Sequence, residues 1–547
     1  MQRFTTGFPG GWKGCASGLA FVVVSCALFL HVDRHGDVEA SCFLDDPVPP
    51  LVPFPIRIKG GVYILGSLEP STAYAVETSE GVVLVDSGLR SDASLLKSQI
   101  ASLGLDWRHV RAILLTHAHG DHTGGAERLR AETGAKVYAG EGDAGVIRAG
   151  GPREAIFSAF SLPEGELHPT TIDVALKGGE SIAFGDVRFR ALATPGHTPG
   201  SICYLMERGD LRALFAGDVI SMLVGEEKSH VRIWKPLGTY SAYLPPRYRG
   251  DAKAYLASLR KLRALPMPDL VLPGHPRGDP TPQEPRLSQQ RWESILDQGI
   301  AEMARLVARY EADGADFLDG EPKLLLPGLY YLGDFQGEAV YGLFAASKFF
   351  LVAAPGGPGL LSFVKGRLQQ LGQKPAEPAA VLLTSCEATI AAGLKDLVQG
   401  CHPEVVVSRE GLEKVKEWCP PGTVILSAEG LPGRGWFEVM PMPLHGRGTA
   451  SIAYRVRWAG KTILFSGRIP INGKPLTEAA LFSDISKSRE ATLDYLVTVY
   501  RLGEPKPDLW LPAVPVDGQN ANLYDNEWQD ILAYNYRVGY HSLTGKR

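Results

Sequence analysis

The sequence has few cysteines, almost no net charge and only one long apolar run, and each of these shortages excludes a class of protein. Its 547 residues include seven cysteines, none in a C-x-x-C pair, which excludes a disulfide scaffold and argues against a cysteine-rich zinc site. The 56 Lys and Arg face 60 Asp and Glu, for a formal net charge of −4. A basic face for nucleic acid is therefore not expected. The composition, 45% hydrophobic and 21% charged, is that of a globular protein.

The long apolar run lies near the N-terminus. The stretch GLAFVVVSCALFL, residues 18–30, follows Arg3 and Lys13. A run of this length suits the apolar part of a secretory signal and is shorter than the about 20 residues that span a bilayer as a helix. Small residues before Ser41 predict cleavage there, and an uncleaved membrane anchor is the alternative. We therefore expect an exported protein, periplasmic or secreted, in which residues 1–40 are a signal peptide or an anchor.

After a proline-rich lead-in, apolar strands alternate with amphipathic helices, as in an α/β layered domain. The pattern predicts strands over 62–65, 81–85 and 111–116 and a helix over 95–103. A long amphipathic helix is predicted over 287–310. The Gly- and Asp-rich stretch 313–321 breaks this pattern. We therefore predict two domains, over 41–320 and 321–547.

Five apolar runs in the first domain each end in a polar residue. These terminal residues are Asp86, His117, His197, Asp218 and His275. Strands of an open α/β sheet present functional groups at their carboxyl ends, in a crevice beyond the sheet edge. The five side chains are therefore expected to converge on one site.

The second of these runs leads into a dense group of potential metal ligands. The segment THAHGDH, residues 116–122, places His117, His119, Asp121 and His122 within six residues, with only Ala and Gly between them. In an extended turn His117 and His119 can hold one ion, which leaves Asp121 and His122 for a second. Imidazole with carboxylate suits Zn²⁺, Fe or Mn rather than Ca²⁺ or Mg²⁺.

The motifs THAHGDH, ATPGHTPGS, FAGD and LPGHP occur in this order over residues 54–276. Together they resemble the metallo-β-lactamase superfamily. The resemblance implies an αββα sandwich with two divalent metal ions at one edge, zinc being expected and iron or manganese the alternatives. It also implies a role for each residue: His117, His119 and His197 on the first metal, Asp121, His122 and His275 on the second, Asp218 bridging both, and Asp86 supporting a ligand from behind.

The resemblance implies hydrolysis of a small molecule by metal-activated water, which attacks an amide, ester, lactone or thioester carbonyl. Asp121 is expected to orient that water and to shuttle its proton. His230 and Tyr240 lie where the superfamily often has a substrate-facing loop. The third subclass of lactamases and the hydroxyacylglutathione hydrolases share these motifs, so the substrate stays open. The alternative is an oxidoreductase that resembles the persulfide dioxygenases, with one iron.

The C-terminal half repeats the landmarks of the first half without their ligands. Residues 380–384 resemble the strand before His117. In the first half 21 positions separate His197 from Asp218, and in the C-terminal half 21 positions separate Arg447 from Arg468 (218−197 and 468−447). The seven positions equivalent to the ligands carry Ser385, Glu387, Thr389, Ile390, Arg447, Arg468 and Val514. Arginine opposes a metal ion electrostatically. We therefore expect a metal-free, degenerate second copy of the fold that packs against the first.

Overall fold

A computed structural model of the chain describes most residues after position 54. The described segments are 55–68, 71–150, 168–220, 249–275, 288–352, 355–386, 391–428, 437–441, 452–467, 489–513 and 520–523, with three isolated positions. The predicted signal or anchor, residues 1–40, lies outside them. Within these segments, no helix combines the length and the apolar character that crossing a membrane requires.

The first half contains two β-sheets. The first sheet runs, in spatial order, β1 (Ile56–Arg57), β2 (Val62–Leu68), β3 (Ser71–Thr78), β4 (Gly81–Val85), β5 (Val110–Leu114), β6 (Lys136–Gly140) and β7 (Val174–Leu176). The second sheet runs β12 (Leu270–Pro273), β11 (Leu211–Gly217), β10 (Ile202–Arg208), β9 (Val187–Ala193) and β8 (Ser181–Phe184). Strands β4 to β7 are parallel, and β12 is parallel to β11. Their carboxyl ends therefore lie at one edge.

Helices cover the outer face of each sheet. The first-half helices are α1 (Ser94–Ser102), α2 (Gly120–Thr123), α3 (Ala126–Thr133), α4 (Glu141–Ala149), α5 (Ala252–Arg263) and α6 (Gln289–Asp313). Leu96 of α1, Leu129 of α3 and Ile147 of α4 pack on the first sheet. Tyr255 of α5 and Trp292 of α6 pack on the second.

Apart from the two apolar layers beneath the helices, a third apolar layer fills the space between the two sheets. Alternate strand residues such as Val83, Val85, Phe189 and Phe215 are fully buried there, because successive side chains of a strand point to opposite faces. The two helix layers and the two sheets give an αββα sandwich. The fold class predicted for the first half is confirmed.

The C-terminal half also contains two sheets. The first runs β13 (Lys323–Leu326), β14 (Leu329–Phe335), β15 (Glu338–Ala345), β16 (Lys348–Val352), β17 (Ala380–Leu382), β18 (Glu404–Val407) and β19 (Ile425–Ser427). The second runs β20 (Phe437–Pro441), β21 (Ile452–Trp458), β22 (Lys461–Gly467) and β23 (Leu509–Pro512). The helices are α7 (Leu360–Gln370), α8 (Ala391–Cys401), α9 (Leu412–Trp418) and α10 (Arg489–Gly503).

The strand order of this half follows that of the first half. The directions of β13 to β19 match those of β1 to β7, and β20 to β23 match β9 to β12. Specific hydrogen bonds also recur. The Tyr74 hydroxyl donates to the carbonyl of Pro273 and the Tyr341 hydroxyl to that of Pro512. The described strands of the two halves therefore follow the same order.

The two halves meet just after α6. Phe317 packs in the apolar layer beneath α6, whereas Leu318 belongs to the core of the C-terminal half. The backbone of Phe317 also forms an isolated bridge with Asn520. The change from one core to the other thus falls between Phe317 and Leu318.

Candidate metal centre

Strand ends and one short helix deliver the predicted site residues to one edge of the first-half sandwich. Asp86 directly follows β4, Asp218 directly follows β11, and His275 lies two residues after β12. His197 stands in the turn between β9 and β10, and His117 in the segment after β5. Asp121 and His122 lie in α2, for which His119 is the N-cap residue. All eight predicted residues are thus at the same edge.

Three histidines form the first group, which we call the three-histidine group. His117 Nε2 lies 3.0 Å from His119 Nδ1, and His197 Nε2 lies 3.1 Å from the same atom. All three side chains are buried. Three ring nitrogens that face one point from this distance are the donor set of a metal site, because a cation between them would accept all three lone pairs.

A second group of potential ligands lies beside the first. Asp121 Oδ2 is 3.5 Å from His122 Nε2 and 3.7 Å from His275 Nε2. The ligand atoms of these three residues all lie within 4.8 Å of one another. We call Asp121, His122 and His275 the second group.

Asp218 lies between the two groups. Its Oδ2 is 3.6 Å from His197 Nε2, in the three-histidine group, and 3.0 Å from His275 Nε2, in the second. Its Oδ1 is 3.4 Å from His122 Nε2. One carboxylate therefore faces both groups, which is the arrangement of a bridging ligand.

Two buried polar atoms at this position face each other at 3.4 Å, and neither forms a hydrogen bond. They are His122 Nε2 and Asp218 Oδ1. Buried polar groups are almost always paired, and an unpaired one costs about 1–3 kcal/mol. An imidazole nitrogen and a carboxylate oxygen left together in this way fit a shared cation.

Gly274 leaves room for the Asp218 carboxylate. A Cβ atom at this position would lie 2.0 Å from Asp218 Oδ1 and 3.1 Å from His122 Cε1. Only glycine lets the chain before His275 pass so close to the carboxylate. The residues present therefore fit a metal centre in shape as well as in donor chemistry.

Asp86 supports this centre from behind. Its Oδ2 lies 2.8 Å from His122 Nδ1. The other ring nitrogen of His122, Nε2, is therefore the atom that this residue contributes to the second group. Asp86 Oδ1 accepts the backbone N–H of Thr116 at 2.8 Å, and the Thr116 hydroxyl lies 3.0 Å from His117 Nδ1. Such partners fix the tautomer and ring orientation of metal ligands. Asp86 has a left-handed backbone, with φ 62°.

Burial and neighbouring charges divide the histidines into two electrostatic types. Burial, with the neighbouring histidines, holds the pKa values of His117 and His119 well below their ordinary value. Burial also lowers the pKa of His275, but the Asp218 and Asp121 carboxylates outweigh it and raise that pKa. His117 and His119 are therefore neutral donors, whereas His275 lies in the field of two carboxylates.

Asp143 is a site residue that the sequence reasoning missed. Its buried carboxylate, in the first turn of α4, contacts the segments that carry His117, His119 and His197. The available signal was the AGEGDA stretch, residues 139–144, because it follows β6 at the edge where the other strands end. Of the remaining predictions, His230 and Tyr240 lie outside the described residues, as do the C-terminal positions 387, 389, 390, 447, 468 and 514.

Comparison with known proteins agrees with this geometry. Residues 66–275 match the family model described as the metallo-beta-lactamase superfamily. The match begins in β2 and ends at His275. Residues 66–275 therefore form a domain of the metallo-beta-lactamase superfamily.

The curated relatives include several hydrolases. The hydroxyacylglutathione hydrolase of Rhodospirillum rubrum is 33% identical over 185 residues, which is 34% of this chain and 55% of that protein. The enzyme of the same name from Methylococcus capsulatus is 30% identical over 206 residues, or 38% of this chain and 60% of that protein. The probable metallo-hydrolase YflN of Bacillus subtilis is 29% identical, over 35% of this chain and 74% of that protein. The chain thus spans somewhat more than half the length of the first two.

Solved structures similar to this chain include B3 metallo-beta-lactamases. BJP-1 of Bradyrhizobium japonicum is 26% identical, with a TM-score of 0.37, over 48% of this chain and 96% of that one. The di-zinc enzyme LRA-12, from an Alaskan soil metagenome, is 25% identical, with a TM-score of 0.36, over 49% of this chain and 98% of that one.

Proposed function

We propose that this protein is a hydrolase that binds two divalent metal ions, zinc by preference, and cleaves the bond between a carbonyl carbon and a nitrogen, oxygen or sulfur atom of a small molecule. The observation that carries the proposal is the set of seven His and Asp side chains at one sheet edge, with His122 Nε2 and Asp218 Oδ1 buried between them and facing each other at 3.4 Å without a hydrogen bond. A hydrogen-bonded structural cluster would not leave such atoms without partners.

Each ligand group has a separate task in this proposal. His117 Nε2, His119 Nδ1 and His197 Nε2 would hold the first ion, and Asp121, His122 and His275 the second. Asp218 would bridge the two, because its two oxygens face both groups. Two ions bound there would lower the pKa of a shared water and polarise the substrate carbonyl.

Asp121 is the residue to which we assign proton transfer. Its buried carboxylate lies beside His122 and His275 at the edge of the second group. The Ser71 hydroxyl donates to the backbone carbonyl of Asp121 and so fixes the start of α2. Burial raises the pKa of Asp121. In our proposal Asp121 orients the attacking water and accepts its proton.

A thioester is our first choice of substrate class. The named relatives with at least 30% identity, from Rhodospirillum rubrum and Methylococcus capsulatus, are both hydroxyacylglutathione hydrolases. A thiolate is a good leaving group. Thioester hydrolysis therefore does not need a strong general acid to protonate the leaving sulfur. Lactones, esters and lactams are the classes to compare with it.

Metal analysis together with a substrate panel tests this proposal. The purified protein, stripped with a chelator and reloaded with zinc, should hold about two ions per chain and should hydrolyse a hydroxyacyl-glutathione thioester. Asp121→Ala should abolish turnover. One iron per chain with sulfur-dependent oxygen uptake would contradict the proposal and favour the dioxygenase alternative.

For the C-terminal half we propose a degenerate copy of the same fold that binds no metal. The shared strand order and the paired Tyr74 and Tyr341 hydrogen bonds support this proposal. Six of the seven equivalent positions, among them Ser385 and Val514, carry residues that are poor ligands for zinc, and the single carboxylate, Glu387, does not form a site alone. Its role in our proposal is to pack against the catalytic half.

A further inference from the structure

The Asp143 carboxylate joins two segments that are far apart in the sequence. Its Oδ2 accepts the backbone N–H of Ala118 at 2.9 Å and the Thr198 hydroxyl at 2.6 Å. Its Oδ1 accepts the backbone N–H of Gly200 at 3.0 Å. The Asp143 side chain is fully buried. One carboxylate thus receives donors from the segment after β5 and from the turn between β9 and β10.

These donors lie next to the three-histidine group. Ala118 stands between His117 and His119, and Thr198 directly follows His197. The distance between the two segments therefore sets the distance between His197 Nε2 and His119 Nδ1, which is 3.1 Å. Asp143 fixes that distance because its carboxylate accepts hydrogen bonds from the backbone of both segments.

Close backbone packing prevents Asp143 from moving independently of the turn. A Cβ atom on Gly142 would lie 2.7 Å from the Pro199 carbonyl oxygen, and one on Gly200 would lie 2.3 Å from the Asp143 nitrogen. The first turn of α4 is therefore seated directly on residues 199–200. A change at the carboxylate has to be transmitted to the turn that carries His197.

Arg249 balances the buried charge. Its Nη2 lies 2.6 Å from Asp143 Oδ1, and its side chain is only partly exposed. Two residues later, the backbone N–H of Asp251 donates to the Gly196 carbonyl at 2.9 Å. The segment that carries Arg249 is thus attached to the same turn.

We propose that Asp143 is a positioning residue of the three-histidine group, with Arg249 as its counter-charge. Asp143 touches neither substrate nor metal in this proposal. It holds the His117–His119 segment and the His197 turn at the spacing that brings three ring nitrogens to one ion. The inference rests on the proposed function, because it assumes that the three-histidine group binds a metal.

The variant Asp143→Asn tests this role. An amide has one oxygen where the carboxylate has two, so its NH₂ group faces either the Ala118 and Thr198 donors or the Gly200 and Arg249 donors. The loss of a supporting partner of metal ligands typically costs about 10–100-fold in metal affinity. We expect a loss of this size for the three-histidine group alone.

The measurement is a cobalt titration of the metal-free protein, with a chelator as competitor, in two backgrounds. His275→Ala leaves the three-histidine group complete, and His197→Ala leaves the second group complete. Asp143→Asn should weaken cobalt binding in the His275→Ala background and leave it unchanged in the His197→Ala background. Equal weakening in both backgrounds, or none in either, would overturn the inference.

Two further variants separate positioning from general stability. Asp173→Asn is the matched control, because Asp173 also pairs with an arginine (Arg130) and a backbone N–H (Val137), but at the start of β6. It should leave cobalt binding unchanged. The double variant Asp143→Asn with Arg249→Met removes the unbalanced charge, so it should regain thermal stability without regaining cobalt affinity. If it regains both, Asp143 is only a buried charge partner.

Thr198→Val provides the same test if Asp143→Asn does not fold. It removes only the hydroxyl that donates to Asp143 Oδ2, and its cobalt affinity should fall in the His275→Ala background. An unchanged affinity there would contradict the inference. A wild-type protein that binds no cobalt would instead refute the proposed function, whereas a wild-type protein with two ions and an unaffected Asp143→Asn would refute only the role of Asp143.

Discussion

Residue 274 is a glycine, and the Asp218 carboxylate occupies the space that any larger side chain would need. A Cβ atom there would lie 2.0 Å from Asp218 Oδ1, well inside any permitted contact. Gly274→Ala should therefore displace the Asp218 carboxylate from its place between the two ligand groups. We expect metal affinity to fall by about 10–100-fold, as for other changes around metal ligands, measured by competition with a chelator.

Gly145→Ala is the matched control for this prediction. Gly145 lies within α4, and a Cβ atom there would have no neighbour within 4 Å. Alanine in a helix interior is more favourable than glycine by about 1 kcal/mol. This variant should keep its metal affinity and gain slightly in stability. Equal metal affinity in both variants would contradict the role of Gly274.

For individual residues, the sequence predicted which side chains meet at the metal centre, but not which side chains support them. His117, Asp218 and His275 each follow an apolar run, so the strand-end rule placed them at one edge. Asp143 is separated from its partner Thr198 by 55 residues and lies in the first turn of a helix. Its position after β6 places it at the right edge of the sheet, but the acidic residue itself looks like any other near a helix N-terminus, and its partners are known only from the tertiary structure.

Equivalent strands of the two halves carry the same buried hydrogen bond, which gives a matched pair of variants. Tyr74 in β3 donates to the Pro273 carbonyl, and Tyr341 in β15 donates to the Pro512 carbonyl at 2.7 Å. Tyr74→Phe and Tyr341→Phe should each leave one buried carbonyl unpaired. We expect each to lower the free energy of unfolding by about 1–3 kcal/mol, as measured by urea unfolding.

The two variants should differ in metal binding. Pro273 precedes Gly274 and His275, so Tyr74→Phe loosens the chain that leads into the second group, whereas Pro512 leads to Val514. Only Tyr74→Phe should weaken cobalt binding. A comparable loss in Tyr341→Phe would contradict a metal-free C-terminal half.

The elements themselves were predicted closely where the apolar pattern is strong. The strand predicted over 81–85 is β4, Gly81–Val85, and the helix predicted over 95–103 is α1, Ser94–Ser102. The long helix predicted over 287–310 is α6, Gln289–Asp313. The pairing of β12 with β11 could not be predicted, because more than fifty residues separate these strands and the pairing depends on tertiary packing.

One buried aspartate links the two halves of the molecule. Asp316 accepts from Arg309 Nη2 of α6 at 2.5 Å and from both nitrogens of Asn522 at 2.7 Å. Asp316→Ala would leave the largely buried Arg309 side chain without this partner. We expect it to lower the free energy of unfolding by about 3–5 kcal/mol, the usual cost of breaking a buried ion pair.

The exposed Asp313 at the end of α6 provides the control for this variant. Asp313→Ala removes an acidic side chain near a helix C-terminus, where negative charge is unfavourable, so stability should stay the same or rise slightly. Neither variant should change metal affinity, because every ligand lies in the first half. Unfolding curves that match for the two variants would contradict the link through Asp316.

The proposed activity of the molecule requires two metal ions at one sheet edge, and the metal content of the intact protein tests this requirement most directly. Elemental analysis after reloading with zinc should give about two ions per chain. Asp218→Ala, which removes the carboxylate between the two groups, should give fewer than two. A wild-type protein without bound metal, or an Asp218→Ala protein that still holds two ions, would contradict the account.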